Sequence, residues 1–175
     1  MESLSNRSEY SDLLPLKTEF VLNHVQMTWP EIMWAYSMGL IGWRSLKEFA
    51  QAGVGGESPD DELVKLANLS KECANSAEER ARSLATHSGA QDEVTTRNKW
   101  LYLLLKSLYE QKGSVSDPLG LVEQIYADFD YPERIEGFVR WMPTHDPVRT
   151  PEEAAERMDR NWQSYLENCA AQFRS

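Results

Sequence analysis

Little in this chain can hold a metal tightly or attack a substrate. It has two cysteines and three histidines. His24, His87 and His145 stand far apart, and no His-x-x-x-His, Cys-x-x-Cys or Glu-x-x-His spacing occurs. That removes the usual zinc and carboxylate-bridged di-iron patterns. There is no Gly-x-Ser-x-Gly elbow to expose a nucleophile. Gly53-Val-Gly-Gly56 lacks both the lysine and the preceding strand of a phosphate-cradling loop. Cys73 and Cys169 fall at apolar positions of expected helices and read as reduced, buried small hydrophobes. The first ten residues carry no apolar core of a secretory signal. The longest uninterrupted apolar run, Trp100 to Leu105, is far too short to span a bilayer. No segment alternates with period two, and no Asn-Gly or Asp-Gly hairpin signal occurs.

What the chain does have is acid and aromatic surface. The formal net charge is −10, and six of the 175 residues are tryptophan. A negative excess repels phosphate backbones and anionic lipid, so direct nucleic-acid or membrane binding is disfavoured. It suits a basic protein partner, whose encounter it would accelerate. The plainer reading is that the charge only keeps the protein dispersed. A soluble, cytoplasmic protein is the expectation.

Helix signals recur along the whole chain. Phe20, Val21, His24 and Val25 mark a short helix after Pro15. Thr28-Trp-Pro-Glu31 spells a capping box. Trp43, Leu46, Phe49 and Ala50 form another helical stripe. Ser58-Pro59-Asp-Asp61 starts a stripe that runs to Leu84, with a restart at Asn75-Ser76. His87 to Thr95 reads as loop. Trp100 to Leu108 is apolar nearly all round, the mark of a central helix. Ser116-Asp-Pro118 and Thr150-Pro-Glu-Glu153 are further capped starts with an N1 proline. The expected architecture is all-α, a single compact domain of six or more helices over 15–175, preceded by a flexible segment over 1–14.

The densest stretch is Ile125-Tyr-Ala-Asp-Phe-Asp-Tyr-Pro-Glu133, continuing to Phe138-Val-Arg-Trp-Met-Pro143. It reads as a sharp junction of two short helices, with Asp130 capping the second and Pro132 in its first turn. Asp128, Asp130, Glu133 and Glu136 gather acid there. Trp141 falls off the apolar stripe of Ile135, Phe138 and Met142, which leaves it room to be exposed. Three readings compete: solvated caps, an acidic protein-binding patch with Trp141 as anchor, or a pair of catalytic carboxylates. No spacing supplies a cofactor, a metal site or a catalytic set; a metal site would have to assemble in space from His145, Asp146 and a distant acid, and a hydrolase from spatially gathered acids and His145.

Tyr126-Ala-Asp-Phe-Asp-Tyr-Pro132 with Phe138-Val-Arg-Trp-Met-Pro143 resembles a family of small bacterial proteins of unassigned function, a likeness extending over residues 15–146. Members of such families look like immunity proteins, encoded beside secreted polymorphic or contact-dependent toxins. The resemblance implies a non-enzymatic toxin inhibitor. Its partner would be a cognate toxin, a basic nuclease being one candidate, met by Asp128, Asp130, Glu133, Glu136 and Trp141. No catalytic residue comes with it. The alternative is a helical adaptor or regulatory domain that binds some other protein. Oligomeric state is not encoded in any of these features.

Overall fold

A computed structural model describes residues 10–55, 61–70, 74–145 and 147–174. Among them there are eight α-helices, three short 3-10 segments and no strand, so the all-α expectation holds. The helices are α1 (Thr18–His24), α2 (Trp29–Met38), α3 (Trp43–Gln51), α4 (Asp61–Ala67), α5 (Ala74–His87), α6 (Glu93–Gln111), α7 (Pro118–Asp128) and α8 (Pro151–Phe173). The chain divides into two compact units. One holds 14–100; the other holds 101–174 together with 10–13, so the division falls inside α6.

In the first unit α5 packs on α2, α3 and α4, while α3 also meets α1. The capping box forms as its spacing requires: the Thr28 amide donates to Glu31 Oε2 at 2.9 Å. Gly39, with φ 70°, closes α2 in the left-handed region that glycine enters without steric cost. Glu31 is buried, yet fully engaged. Lys99 Nζ donates to both of its carboxylate oxygens at 2.8 and 3.0 Å, and Trp100 Nε1 donates to its carbonyl at 3.0 Å. Trp29, Ile32, Leu46, Phe49, Leu66, Ala81 and Trp100 are among the buried residues of this unit.

In the second unit Leu101 to Leu105 and Leu108 of α6 are all buried, as a run apolar on every face demands. The stripe on α8 is Trp162, Tyr165, Leu166, Cys169 and Phe173. Thr150 caps that helix by accepting from the Glu153 amide at 3.1 Å, and the Glu153 carboxylate reaches back to the Arg149 amide at 3.0 Å. Burial raises the Cys169 thiol pKa, and the side chain packs as a small hydrophobe.

Two local expectations need correction. The loop expected over His87 to Thr95 is shorter, because α5 runs through His87 and Asp92 starts α6 at Glu93. Its carboxylate accepts from the Val94 amide at 3.1 Å and from the Thr95 hydroxyl at 2.5 Å. The stripe from Asp61 to Leu84 is two helices, α4 and α5, in keeping with the restart expected near Asn75-Ser76. The element after the corner is a 3-10 helix, Glu133–Phe138, not an α-helix. The expected start at Ser58–Asp60, Cys73, Asp146 and the first nine residues lie outside the described residues. Within the expected N-terminal segment, Tyr10 and Leu13 are buried and Ser11–Leu13 forms a 3-10 turn. No helix of the described residues is long and apolar enough to cross a membrane.

Candidate functional site

The corner is built from the end of α7. The Tyr131 amide donates to the Tyr126 carbonyl at 2.9 Å, and the Asp130 amide donates to the Ala127 carbonyl at 3.2 Å. These two bonds close the helix in the Schellman pattern, with Asp130 where glycine usually stands. Asp130 has φ 62° and Tyr131 φ 56°. Asp is one of the non-glycine residues that tolerate this region, but each such residue costs roughly 1–2 kcal/mol against the right-handed form. Asp130 therefore ends α7 and does not cap the next helix. The N-cap of the 3-10 segment is Pro132, which has no side-chain acceptor. Replacing Asp130 by glycine should raise stability by about 0.5–1 kcal/mol, read from the urea midpoint, since glycine adopts this φ freely. An unchanged or lower midpoint would mean that the carboxylate itself stabilises the turn.

The left-handed pair turns Tyr131 back over its own helix. Its ring meets Tyr126 edge-on, with centroids 5.2 Å apart and an interplanar angle of 81°. Trp141 meets the same Tyr126 ring at 5.5 Å and 64°. Tyr126 is 2% exposed, whereas Tyr131 and Trp141 are 56% and 58% exposed. Two large aromatic faces thus stand in solvent on one buried support, held by edge-to-face contacts worth about 0.5–1.5 kcal/mol each.

Arg140, the residue before Trp141, is itself clamped. Its guanidinium bonds Glu123 at 2.6 and 3.2 Å and Asp117 at 3.1 and 3.2 Å. The Glu123 bond, then Asp117, pushes the guanidinium pKa up, so its charge is permanent. Asp117 is also the N-cap of α7, accepting from the Gly120 amide at 3.1 Å. A Cβ on Gly120 would lie 2.4 Å from Asp117 Oδ2, so glycine is what allows cap and clamp to coexist. Because the clamp is exposed, Arg140→Met should cost no more than about 1 kcal/mol. Its larger effect should be optical: Trp141 emission, isolated by difference from Trp141→Phe, should shift red as the ring loosens. An unshifted spectrum would mean that Tyr126 alone positions Trp141.

The four expected acids divide into two kinds. Asp128 and Glu136 are half-buried and each accepts from a tyrosine hydroxyl, Asp128 from Tyr10 at 2.5 Å and Glu136 from Tyr126 at 3.1 Å. Burial, then the Glu136 bond, raises the Tyr126 hydroxyl pKa, so the group remains a donor. Asp130 and Glu133 are exposed. The corner therefore presents two free-standing acids around an aromatic pair, with two more acids holding the support. Among the described residues no group of histidine, cysteine and carboxylate side chains could hold a metal. His145 is exposed, and Asp146 lies outside the described residues.

Sequence reasoning found Trp141 by its departure from a stripe. It missed Tyr131 and Arg140. Tyr131 carries no signal, because the left-handed turn that exposes it is not encoded by glycine. Arg140 does carry one, as a cation set between the apolar Val139 and Trp141.

The family model described as an uncharacterized protein conserved in bacteria, DUF2247, matches residues 18–170. No curated protein and no solved structure matches the chain.

Proposed function

We propose that this chain, which belongs to the DUF2247 family of uncharacterized proteins conserved in bacteria, is a cytoplasmic immunity protein that binds and neutralises a cognate toxin through the α7 corner. The observation that carries the reading is the exposed pair Tyr131 and Trp141, positioned at the expense of two consecutive left-handed non-glycine residues. Strain of that kind persists only where the surrounding contacts over-determine it, and it concentrates at functional sites. Exposed aromatics held rigid lose little conformational freedom on binding, which is what an interface anchor needs. Asp130 and Glu133 beside them, on a chain of net charge −10, favour a basic partner. The link to toxins comes from the resemblance of the Tyr126–Pro132 and Phe138–Pro143 segments. In this role the protein acts by occupying the toxin surface and needs no catalysis.

The test is growth rescue in a sensitive host expressing the product of the neighbouring upstream gene, with and without this chain. Rescue with co-purification is the expected result. A harmless neighbour, or unrelieved toxicity, would remove the immunity reading. Within a confirmed complex, Tyr131→Ala and Trp141→Ala should each speed dissociation, by about tenfold or more. Asp130→Lys with Glu133→Lys should instead slow association and flatten its salt dependence. A folded Tyr131→Ala/Trp141→Ala protein that binds as tightly as the parent would place the interface elsewhere.

A further inference from the structure

The second unit contains a cavity of about 300 Å³ where the 3-10 segment Glu133–Phe138 packs on α8. The two elements approach closely because residue 137 is glycine: a Cβ there would lie 3.2 Å from Asn161 Nδ2. That side-chain amide donates to the Gly137 carbonyl at 2.7 Å and ties the two walls together. A volume of this size stands at the small end of ligand pockets, which run from about 300 to 1,000 Å³.

The lining runs against the composition of the chain. Of its 28 acidic residues, none among the described residues lines the cavity, and the charged side chain that does is a cation, Arg134. Arg134 is exposed and enters no ion pair among the described residues, whereas Arg140 is held by two carboxylates. Beside it stands a buried group without a partner. Tyr165 is 7% exposed, and its hydroxyl is closed off from solvent with no hydrogen-bond partner. The groups that act on this hydroxyl include the Cys169 thiol and the Arg134 guanidinium; both line the cavity, so the hydroxyl faces it. Sulfur is only a weak acceptor. Burial pushes the phenol pKa well above its ordinary value, so the group keeps its proton and remains a donor lacking an acceptor. Ser164, Asn168 and Gln172, spaced four apart on α8, add a polar rim.

We propose that this cavity binds a small organic acid by its carboxylate, gripped between the unpaired Arg134 guanidinium and the unpartnered Tyr165 hydroxyl. The planar guanidinium fork matches a carboxylate, and the hydroxyl supplies a further donor from the buried side. One cation balances one negative charge. A dianion would bring uncompensated charge to a chain already at −10. The rim meets a short tail that carries hydroxyl or carbonyl groups. The site is independent of the toxin-binding reading, and its failure leaves that reading untouched.

The experiment titrates the full chain, in a buffer free of carboxylate and phosphate, with glycolate, L-lactate and 3-hydroxybutyrate. Each acid is compared with its own uncharged primary amide, and inorganic phosphate serves as the competing anion. Binding is followed by saturation-transfer NMR and by the melting temperature. At least one acid should bind with a Kd of about 10 mM or tighter, and its amide at least about tenfold more weakly. No binding of any of the three acids at roughly 50 mM overturns the proposal. So does an amide that binds as well as its acid, or phosphate that binds more tightly than all three.

Two variants test the two grips separately. Arg134→Gln changes an exposed side chain and should fold as the parent does, while binding the acid at least about tenfold more weakly. Unchanged affinity in that variant overturns the proposal. Tyr165→Phe removes a hydroxyl that gains nothing in the ligand-free protein, so its melting temperature should equal or exceed the parent's. Its affinity for the acid should nevertheless fall, by about three- to tenfold. A lower melting temperature would show that the hydroxyl already has a partner, and unaltered affinity would remove it from the site; either result overturns the proposal.

Discussion

Lys99→Ala should destabilise the protein by about 3–5 kcal/mol, a drop of roughly 10 °C in melting temperature for a chain of this size. The ammonium and the Glu31 carboxylate are 15% and 9% exposed and 2.8 Å apart. Removing the lysine strands a carboxylate where water cannot solvate it. Glu31 cannot swing outward, because its Oε2 holds the Thr28 amide that starts α2 and its carbonyl receives the Trp100 indole. The loss would therefore spread to the capping box and to the seat of a buried tryptophan. A Lys99→Met/Glu31→Gln double variant, which leaves neither charge behind, should recover most of the difference, because buried pairs add little net stability over neutral replacements. Urea unfolding of Lys99→Met, Glu31→Gln and the double closes the cycle. A Lys99→Ala cost below about 1 kcal/mol would show that water reaches Glu31 and that the pair behaves as a surface bridge.

Trp162→Ala should cost about as much, roughly 3–5 kcal/mol, by a different route. The indole is 2% exposed, stacked on Phe138 at 5.5 Å with an interplanar angle of 3°, and meets Tyr109 edge-on at 5.0 Å. Phe138 ends the 3-10 segment that carries Glu133 and Glu136, and Asn161 also tethers that segment by donating to the Gly137 carbonyl at 2.7 Å. Truncating Trp162 removes the platform under Phe138. Amide exchange at Ile135 and Val139 should accelerate along with the global loss. Trp162→Phe is the informative comparison: it sacrifices some area but also removes an indole N–H that is buried without a partner. Its cost should stay below about half that of alanine. Equal costs for the two would mean that ring stacking contributes little beyond volume.

The helices were largely legible because their starts are written in short-range chemistry. Thr28 with Glu31, Asp117 with Pro118 and Thr150 with Pro151 form the caps that their spacing announces. The run from Trp100 to Leu105 announced its burial by leaving no polar face. The corner was legible in composition but not in conformation. Asp130 before Pro132 has the chemistry of an N-cap, and only the six-residue bond from Tyr131 to Tyr126 shows that the chain is still closing the preceding helix. That closure depends on a ring contact across a turn, which residue spacing alone does not reveal. For the same reason the exposure of Trp141 could be anticipated while its partner Tyr131 could not. The division at α6 was invisible, because the apolar pattern runs through Trp100 and Leu101 without interruption.

Tyr126 supports both exposed aromatics, and that shared support has a consequence for how recognition energy is distributed. Each ring rests on the same edge-to-face bearing, so removing either one releases Tyr126 to relax toward the gap and changes what the other rests on. Losses on truncating Tyr131 and Trp141 should not sum, and the shortfall or excess measures a coupling of about 0.5 kcal/mol or more. Whatever surface meets this corner reads the two rings as one unit.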